Sequence, residues 1–242
     1  IVHTVRMRLD VILITSFLGT HAAGVYGASL TLVQRLDIVQ DALTTALFPR
    51  VSSLQGRATD ELRELVRLSF KLMLVIAMPL GIGLFGVAED VVRIVFGAKF
   101  ADASPVLAMI AVALPFGFVY GLLFNVMSAM GRQDAVFRLA LAAFLPDLAF
   151  MVAGILLAGV PGAAATLVLV SASLAVPLAI YYVRTVGSLA RGGDIARITA
   201  ANAAMAGCLW LTSDIPVALR VAACVVVYSL AVLAFRVVTP ST

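Results

Sequence analysis

Residues 135–183 read AVFRLALAAFLPDLAFMVAGILLAGVPGAAATLVLVSASLAVPLAIYYV. Two apolar runs, 135–159 and 162–183, flank Val160 and Pro161, and the whole stretch holds one basic residue, Arg138, and one acidic residue, Asp147. Each run is long enough to cross about 30 Å of hydrocarbon as a helix, which takes roughly 20 residues at ~1.5 Å apiece. Neither alternates apolar with polar at period 2, as a lipid-facing barrel strand does. The rest of the chain repeats this pattern. Of its 242 residues 62% are hydrophobic and 12% charged, and the mean hydropathy is +1.10. A water-soluble domain of that size needs a polar outside and has no room to hide so much apolar surface. The composition therefore specifies an all-α, polytopic membrane helix bundle.

Eight crossings fit, at about 1–18, 24–48, 68–88, 105–130, 135–159, 162–183, 195–211 and 217–235. A short turn (19–23) joins the first two, and a charged link (50–67) leads to the third. From within that link, 57–70 reads either as an amphipathic helix along the inner interface, with Thr59 as its cap and Asp60 and Glu61 in its first turn, or as a charged anchor for two crossings. A loop at 89–104 contains a short apolar piece, 91–96. The chain opens on Ile1 inside an apolar run, with no n-region or cleavage site of a signal peptide. The expectation is that further helices precede it.

Cationic residues test the crossing count independently. With the first helix starting inside, eleven Lys and Arg fall on inner links and ends, among them Arg50, Arg63, Arg67, Arg132, Arg184 and Arg191. Only Arg93, Lys99 and Arg220 fall outside. That asymmetry is what the positive-inside rule demands. The net charge of +4 thus reports topology, and nucleic acid is not an expected partner.

Arg6, Arg8 and Arg35 remain, within crossings, as do Asp10, Asp37, Asp41 and Asp147. An ionisable group at bilayer depth costs about 3 kcal/mol or more, so each needs a bundle interior or a wet cavity. His3, Arg6 and Asp10 share one face of the first helix; Gln34, Asp37, Asp41 and Thr45 form a stripe on the second, with Thr31 and Arg35 on its flank. A short turn makes these helices antiparallel neighbours, so the stripes meet near mid-membrane, where transporters keep their substrate sites. Two readings stand. The charges line a transport pathway, or Arg6 with Asp10, and Arg35 with Asp37 or Asp41, are buried ion pairs that hold helices together. Asp147 follows a helix-bending proline and is either a proton or cation site or a solitary aspartate kept neutral. Asn125 reads as an interhelical hydrogen bond.

Other signals are rejected. Gly81-x-Gly83-x-x-Gly86 matches a dinucleotide fingerprint, but no strand precedes it, and glycines in a membrane helix serve close packing. His3 and His21 have no thiol near them in sequence, so neither a zinc site nor a Cys/His nucleophile is expected. Cys208 and Cys224 read as small hydrophobes. No cofactor and no enzymatic chemistry are expected.

Four motifs, in order, carry a resemblance. They are Arg8-Leu9-Asp10 with Phe17-Leu18-Gly19 and Gly24-Val25-Tyr26; Leu47-Phe48-Pro49-Arg50-Val51-Ser52; Phe96-Gly97-x-Lys99-Phe100 with Ala103; and Ala129-Met130-Gly131-Arg132. Together the first 130 residues resemble the C-terminal half of polysaccharide-transporter (oligosaccharide) flippases of the multidrug/oligosaccharidyl-lipid/polysaccharide superfamily. The resemblance implies a six-helix C-terminal lobe at 1–190, two added transmembrane helices at 191–242, and an N-terminal lobe outside this chain. It implies a multi-pass protein of the bacterial cytoplasmic membrane that flips undecaprenyl-pyrophosphate-linked oligosaccharide by alternating access, for export of cell-surface lipopolysaccharide or exopolysaccharide. Implied partners are that lipid-linked substrate, membrane lipids, and a glycan polymerase or ligase. On this implication Arg6, Arg8, Arg35 and Gln34 line the substrate cavity, the three arginines drawing the pyrophosphate, and Asp10, Asp37, Asp41 and Asp147 hold a coupling ion or ion pairs. The competing functions are a lipid II flippase, then a multidrug/cation antiporter, whose site should be more acidic and aromatic and poorer in arginine, then a non-transporting scaffold in a glycan-assembly complex.

Overall fold

The computed structural model describes residues 2–53 and 60–235, with side chains described from Leu9 onward. Among these residues there is no strand. In lipid, the backbone's polar groups must be satisfied within each segment, and helices do this. The elements are α1 (Val2–Ser53), α2 (Asp60–Gly86), α3 (Ala88–Phe96), a 3-10 turn (Ala98–Phe100), α4 (Ala103–Ala111), α5 (Leu114–Ala129), α6 (Gln133–Thr185), α7 (Gly192–Leu211) and α8 (Val217–Ala234).

α1 and α6 are each long enough to cross twice, and each folds back on itself at one glycine. Gly19 (φ 87°, ψ 176°) and Gly159 (φ 64°, ψ −138°) are the non-helical positions inside them. Residues 16 apart in a straight helix stand about 24 Å apart, yet the Tyr26 hydroxyl donates to Asp10 Oδ2 at 3.4 Å. Residues 26 apart would be about 39 Å apart, yet Ser173 Oγ lies 2.9 Å from Asp147 Oδ1. Both are therefore antiparallel hairpins, with arms 2–18 and 20–53 in α1 and 133–158 and 160–185 in α6. A positive φ is inexpensive only for glycine, which explains the turn residue. The sequence expectation of a five-residue turn at 19–23 is corrected: one glycine does the work, and helix resumes at once. The second arm of α1 also runs through Pro49 to Ser53 rather than ending at the proline.

Four of the described helices are long and apolar enough to cross a membrane, or five when α4 and α5, bent by 43°, count as one span. The expected fourth crossing is that broken span, interrupted two residues before Pro115. Folded α1 and α6 supply two passes each, so every expected crossing has a helix, although α7, with Asp194 and Arg197 near its start, is not among those long and apolar enough to cross. The charged stretch after residue 59 continues without a break into the third crossing as α2, and Thr59 lies outside the described residues. The apolar piece at 91–96 forms the C-terminal part of α3.

Close packing replaces hydrophobic drive where the solvent is lipid. Gly154 and Gly162 touch backbone to backbone across the α6 turn, and a Cβ on either would overlap the other residue. The glycines that mimic a nucleotide motif sit inside α2 and serve packing: a Cβ on Gly81 would fall 2.9 Å from the Ala111 carbonyl oxygen of α4, and one on Gly86 3.0 Å from Leu209 of α7. The main core gathers Ile14, Tyr26, Phe118, Leu123, Met127 and Tyr182, all fully buried. α7 and α8 pack on α2 through a smaller cluster of Val87, Met205, Leu209 and Cys224. Tyr228 of α8 donates to the Val75 carbonyl of α2 at 2.6 Å. Outward-facing side chains such as Leu157 (86% exposed) and Trp210 (79% exposed) are the lipid-facing surface.

Charged contacts gather at the two ends of the bundle. At one end Arg63 Nε donates to the Val186 carbonyl, Arg67 to Ser188, and Lys71 pairs with Asp194 at 2.9 Å. At the other, Arg220 of α8 approaches Asp90 of α3 at 3.9 Å. Arg63, Arg67, Lys71 and Arg191, assigned inside by the charge rule, thus share one end.

Candidate functional site

The polar stripe on α1 is built by register. Gln34, Asp37 and Asp41 recur at three and four residues, so they stack along one face of the second arm. That face looks across a cavity of about 560 Å³, which falls in the size range of small-molecule sites, about 300–1,000 Å³. α5 supplies the opposite wall with Gly117, Tyr120, Gly121, Phe124 and Asn125. The second arm of α6 adds Ser171, and the first arm of α1 adds Asp10. Leu30 to Asp41, Leu167 to Leu174 and Asp10 all lie near the middle of their arms, so the cavity sits at mid-depth in the bundle.

Tyr26 clamps Asp10 between the arms of α1, and Ser29 donates to the Ala103 carbonyl at 3.2 Å, holding α1 against α4. Tyr120 and Phe124, one helical turn apart, place their ring centroids 6.0 Å from each other at a 39° tilt. The Gln40 amide rests directly on Gly121, where a Cβ would overlap it. Asn125 Nδ2 donates to the Gly121 carbonyl of its own helix at 2.8 Å. This corrects the expectation of an interhelical bond: Asn125 faces the cavity instead.

Asp147 is buried, 6% exposed. Its two carboxylate oxygens lie 2.9 and 3.0 Å from Ser173 Oγ, which is also 2.8 Å from the Val170 carbonyl. One hydroxyl proton serves these acceptors by turns. The aspartate is therefore not solitary. A second cavity of about 20 Å³ is lined by Asp10 and Asp147, with room for about one water.

The structure brings Asp10, Gln34, Asp37 and Asp41 to the main cavity and Asp147 to the small one beside it. It does not bring Arg35. That side chain is exposed on the flank of α1, is not among the lining residues, and makes no ion pair with Asp37 or Asp41 among the described residues. The ion-pair reading of Arg35 is corrected accordingly. The side chains of Arg6 and Arg8, and any pair of Arg6 with Asp10, lie outside the described residues. Among the described lining residues the only charges are the three carboxylates. Sequence reasoning missed Gln40, Tyr120, Phe124, Gly121 and Ser171. The available signal was Gly117-x-x-x-Gly121, which opens one face of α5 beside Tyr120.

Comparison with known proteins now bears on the fold and the cavity. Residues 1–105, which include all of α1 to α3, match the family described as polysaccharide biosynthesis protein. Over these residues the chain is similar to that family. A curated relative is the teichuronic acid biosynthesis protein TuaB of Bacillus subtilis (strain 168), 27% identical over 138 residues. The alignment covers 57% of this chain and 28% of that relative, so the chain spans well under half of the relative's length. The α1 wall of the cavity lies inside the family match, and the α5 and α6 walls lie beyond it. The chain is a multi-pass helical membrane protein, similar in its first 105 residues to polysaccharide biosynthesis proteins.

Proposed function

We propose that this protein carries undecaprenyl-pyrophosphate-linked oligosaccharide from the inner to the outer leaflet of a bacterial cytoplasmic membrane by alternating access. The observation that carries the reading is the polar cavity at mid-depth, walled by α1, α5 and α6, in a chain whose first 105 residues match polysaccharide biosynthesis proteins. Embedded polar groups are costly in lipid and mark a substrate or ion route. The exposed stripe of Gln34, Arg35, Ile38 and Asp41 stands at the same depth. A second lobe closing over that face, as the family's two-lobed architecture implies, would shelter it and complete the passage.

In this scheme Arg6, Arg8 and Arg35 receive the pyrophosphate, since guanidinium forks match phosphate oxygens. Asp10 and Asp147, facing each other across the small cavity, take the coupling cation. Bending at the α4–α5 break and at the glycine turns provides joints between rigid arms. A glycan polymerase or ligase is the expected downstream partner.

The acidic and aromatic lining, without arginine among its described residues, favours one second reading, a cation antiporter. Both are tested in cells lacking the protein. Export predicts that the glycolipid pool reachable by a membrane-impermeant reagent in intact cells collapses on deletion and returns on re-expression. An unchanged outer pool, with altered efflux of a cationic dye, would replace export by the antiporter.

A further inference from the structure

We propose that the cavity between α1, α5 and α6 seats the sugar portion of the glycolipid, selecting uncharged, hydroxyl-rich rings, and that the pyrophosphate binds elsewhere. The inference rests on the export reading and names which part of the substrate this wall meets.

Charge argues first. Asp37 and Asp41 stand one turn apart on the lining, and neither has an ion pair among the described residues. A pyrophosphate placed between them would meet like charge in a medium that screens poorly. The described cation nearest in sequence, Arg35, is turned away from the cavity on the flank of the same arm. Among the described lining residues, therefore, an anionic group meets only like charge.

The remaining lining has the chemistry of a sugar subsite. Every sugar hydroxyl both donates and accepts a hydrogen bond. Carboxylates accept from two hydroxyls at once, the Gln40 amide supplies a donor as well as an acceptor, and the Ser171 oxygen, whose proton goes to the Leu167 carbonyl at 2.8 Å, accepts. A simple organic cation offers no acceptor to an amide donor such as that of Gln40. Tyr120 and Phe124 offer aromatic surface with a negative face, which suits the polarised C–H side of a pyranose ring. Beside them Gly117 has open space where a Cβ would stand. That gives a flat floor next to the rings. The 560 Å³ volume holds more than a lone ion requires.

Saturation-transfer NMR on the purified protein in micelles tests this with four probes: an uncharged N-acetylglucosamine trisaccharide, a hexuronic acid trisaccharide, inorganic pyrophosphate and tetraphenylphosphonium. The uncharged probe should receive at least fivefold more transfer than the uronic one. Tyr120→Ala should remove most of that signal, while Leu157→Ala on the lipid-facing surface should keep it. Pyrophosphate should not compete, and the conservative Asp37→Asn should narrow the gap between the two saccharides. Competition by pyrophosphate at wild type, or displacement of the saccharide by tetraphenylphosphonium at far lower concentration, would overturn the proposal. Should the uncharged probe show no Tyr120-dependent transfer while glycolipid export in cells persists, this inference falls alone. Loss of the export result removes both.

Discussion

Asp147 illustrates how a single carboxylate is kept in a membrane helix. It lies one position after Pro146, and the hairpin at Gly159 brings Ser173 against both of its oxygens. A hydrogen bond to a charged group is worth about 1.5–3 kcal/mol net in water-soluble proteins and nearer ~0.6 between membrane helices. Ser173→Ala is therefore expected to lower stability by about 1 kcal/mol, read from SDS-induced unfolding in mixed micelles, and an unaltered midpoint would show the contact to be idle. At this scale the sequence was legible where helical register settles direction. Gln34, Asp37 and Asp41 share the cavity because three- and four-residue spacing puts side chains on one face, and Asp10 joins them across the hairpin. Arg35 is one residue from Gln34, about 100° around the helix, and so points elsewhere. Tyr120 and Phe124 were not legible, because aromatic residues in an apolar run look the same whether they face core, lipid or cavity.

At the scale of elements the two glycine turns set the architecture. A non-glycine residue held at positive φ costs about 1–3 kcal/mol. Gly159→Ala should therefore destabilise α6 by that amount. Gly162→Val adds a steric conflict with Gly154 across the hairpin, where overpacking costs about 1–3 kcal/mol. Thermal unfolding in detergent, with Gly24→Ala as a control that meets nothing within 4 Å, separates turn geometry from helix propensity. The second joint is the Lys71–Asp194 pair, with side chains 14% and 15% exposed, which fixes α7 to α2. Lys71→Met should cost up to about 3 kcal/mol by leaving Asp194 unpaired, and the exchange Lys71→Asp with Asp194→Lys should recover part of it. Equal losses in single and double variants would deny the pair a role. Crossing lengths were readable from hydropathy, whereas the one-residue turns and the α4–α5 break were not. Hairpin geometry depends on contacts between arms that no local pattern records.

For the whole molecule, charge distribution and packing agree on two ends. Arg63, Arg67 and Lys71 meet the 186–194 region at one end, where Arg191 also reaches Glu64, and Arg220 meets Asp90 at the other. With Cys208 and Cys224 replaced, Ser213→Cys should react with an impermeant thiol reagent in intact cells, and Ser188→Cys only after permeabilisation. The opposite pattern would invert the topology. The helical membrane class was legible from composition, since no soluble surface accommodates this much apolar side chain. The direction of Arg35 was not, because it and the carboxylates Asp37 and Asp41 occupy neighbouring positions on the same arm. The most direct measurement asks whether mid-depth α1 borders water. In that cysteine-free background, Asp37→Cys and Asp41→Cys should react with a charged, water-soluble thiol reagent, with Leu157→Cys inert as the lipid-facing reference. Were the two cavity positions as inert as Leu157→Cys, the hydrated passage through this bundle would be contradicted.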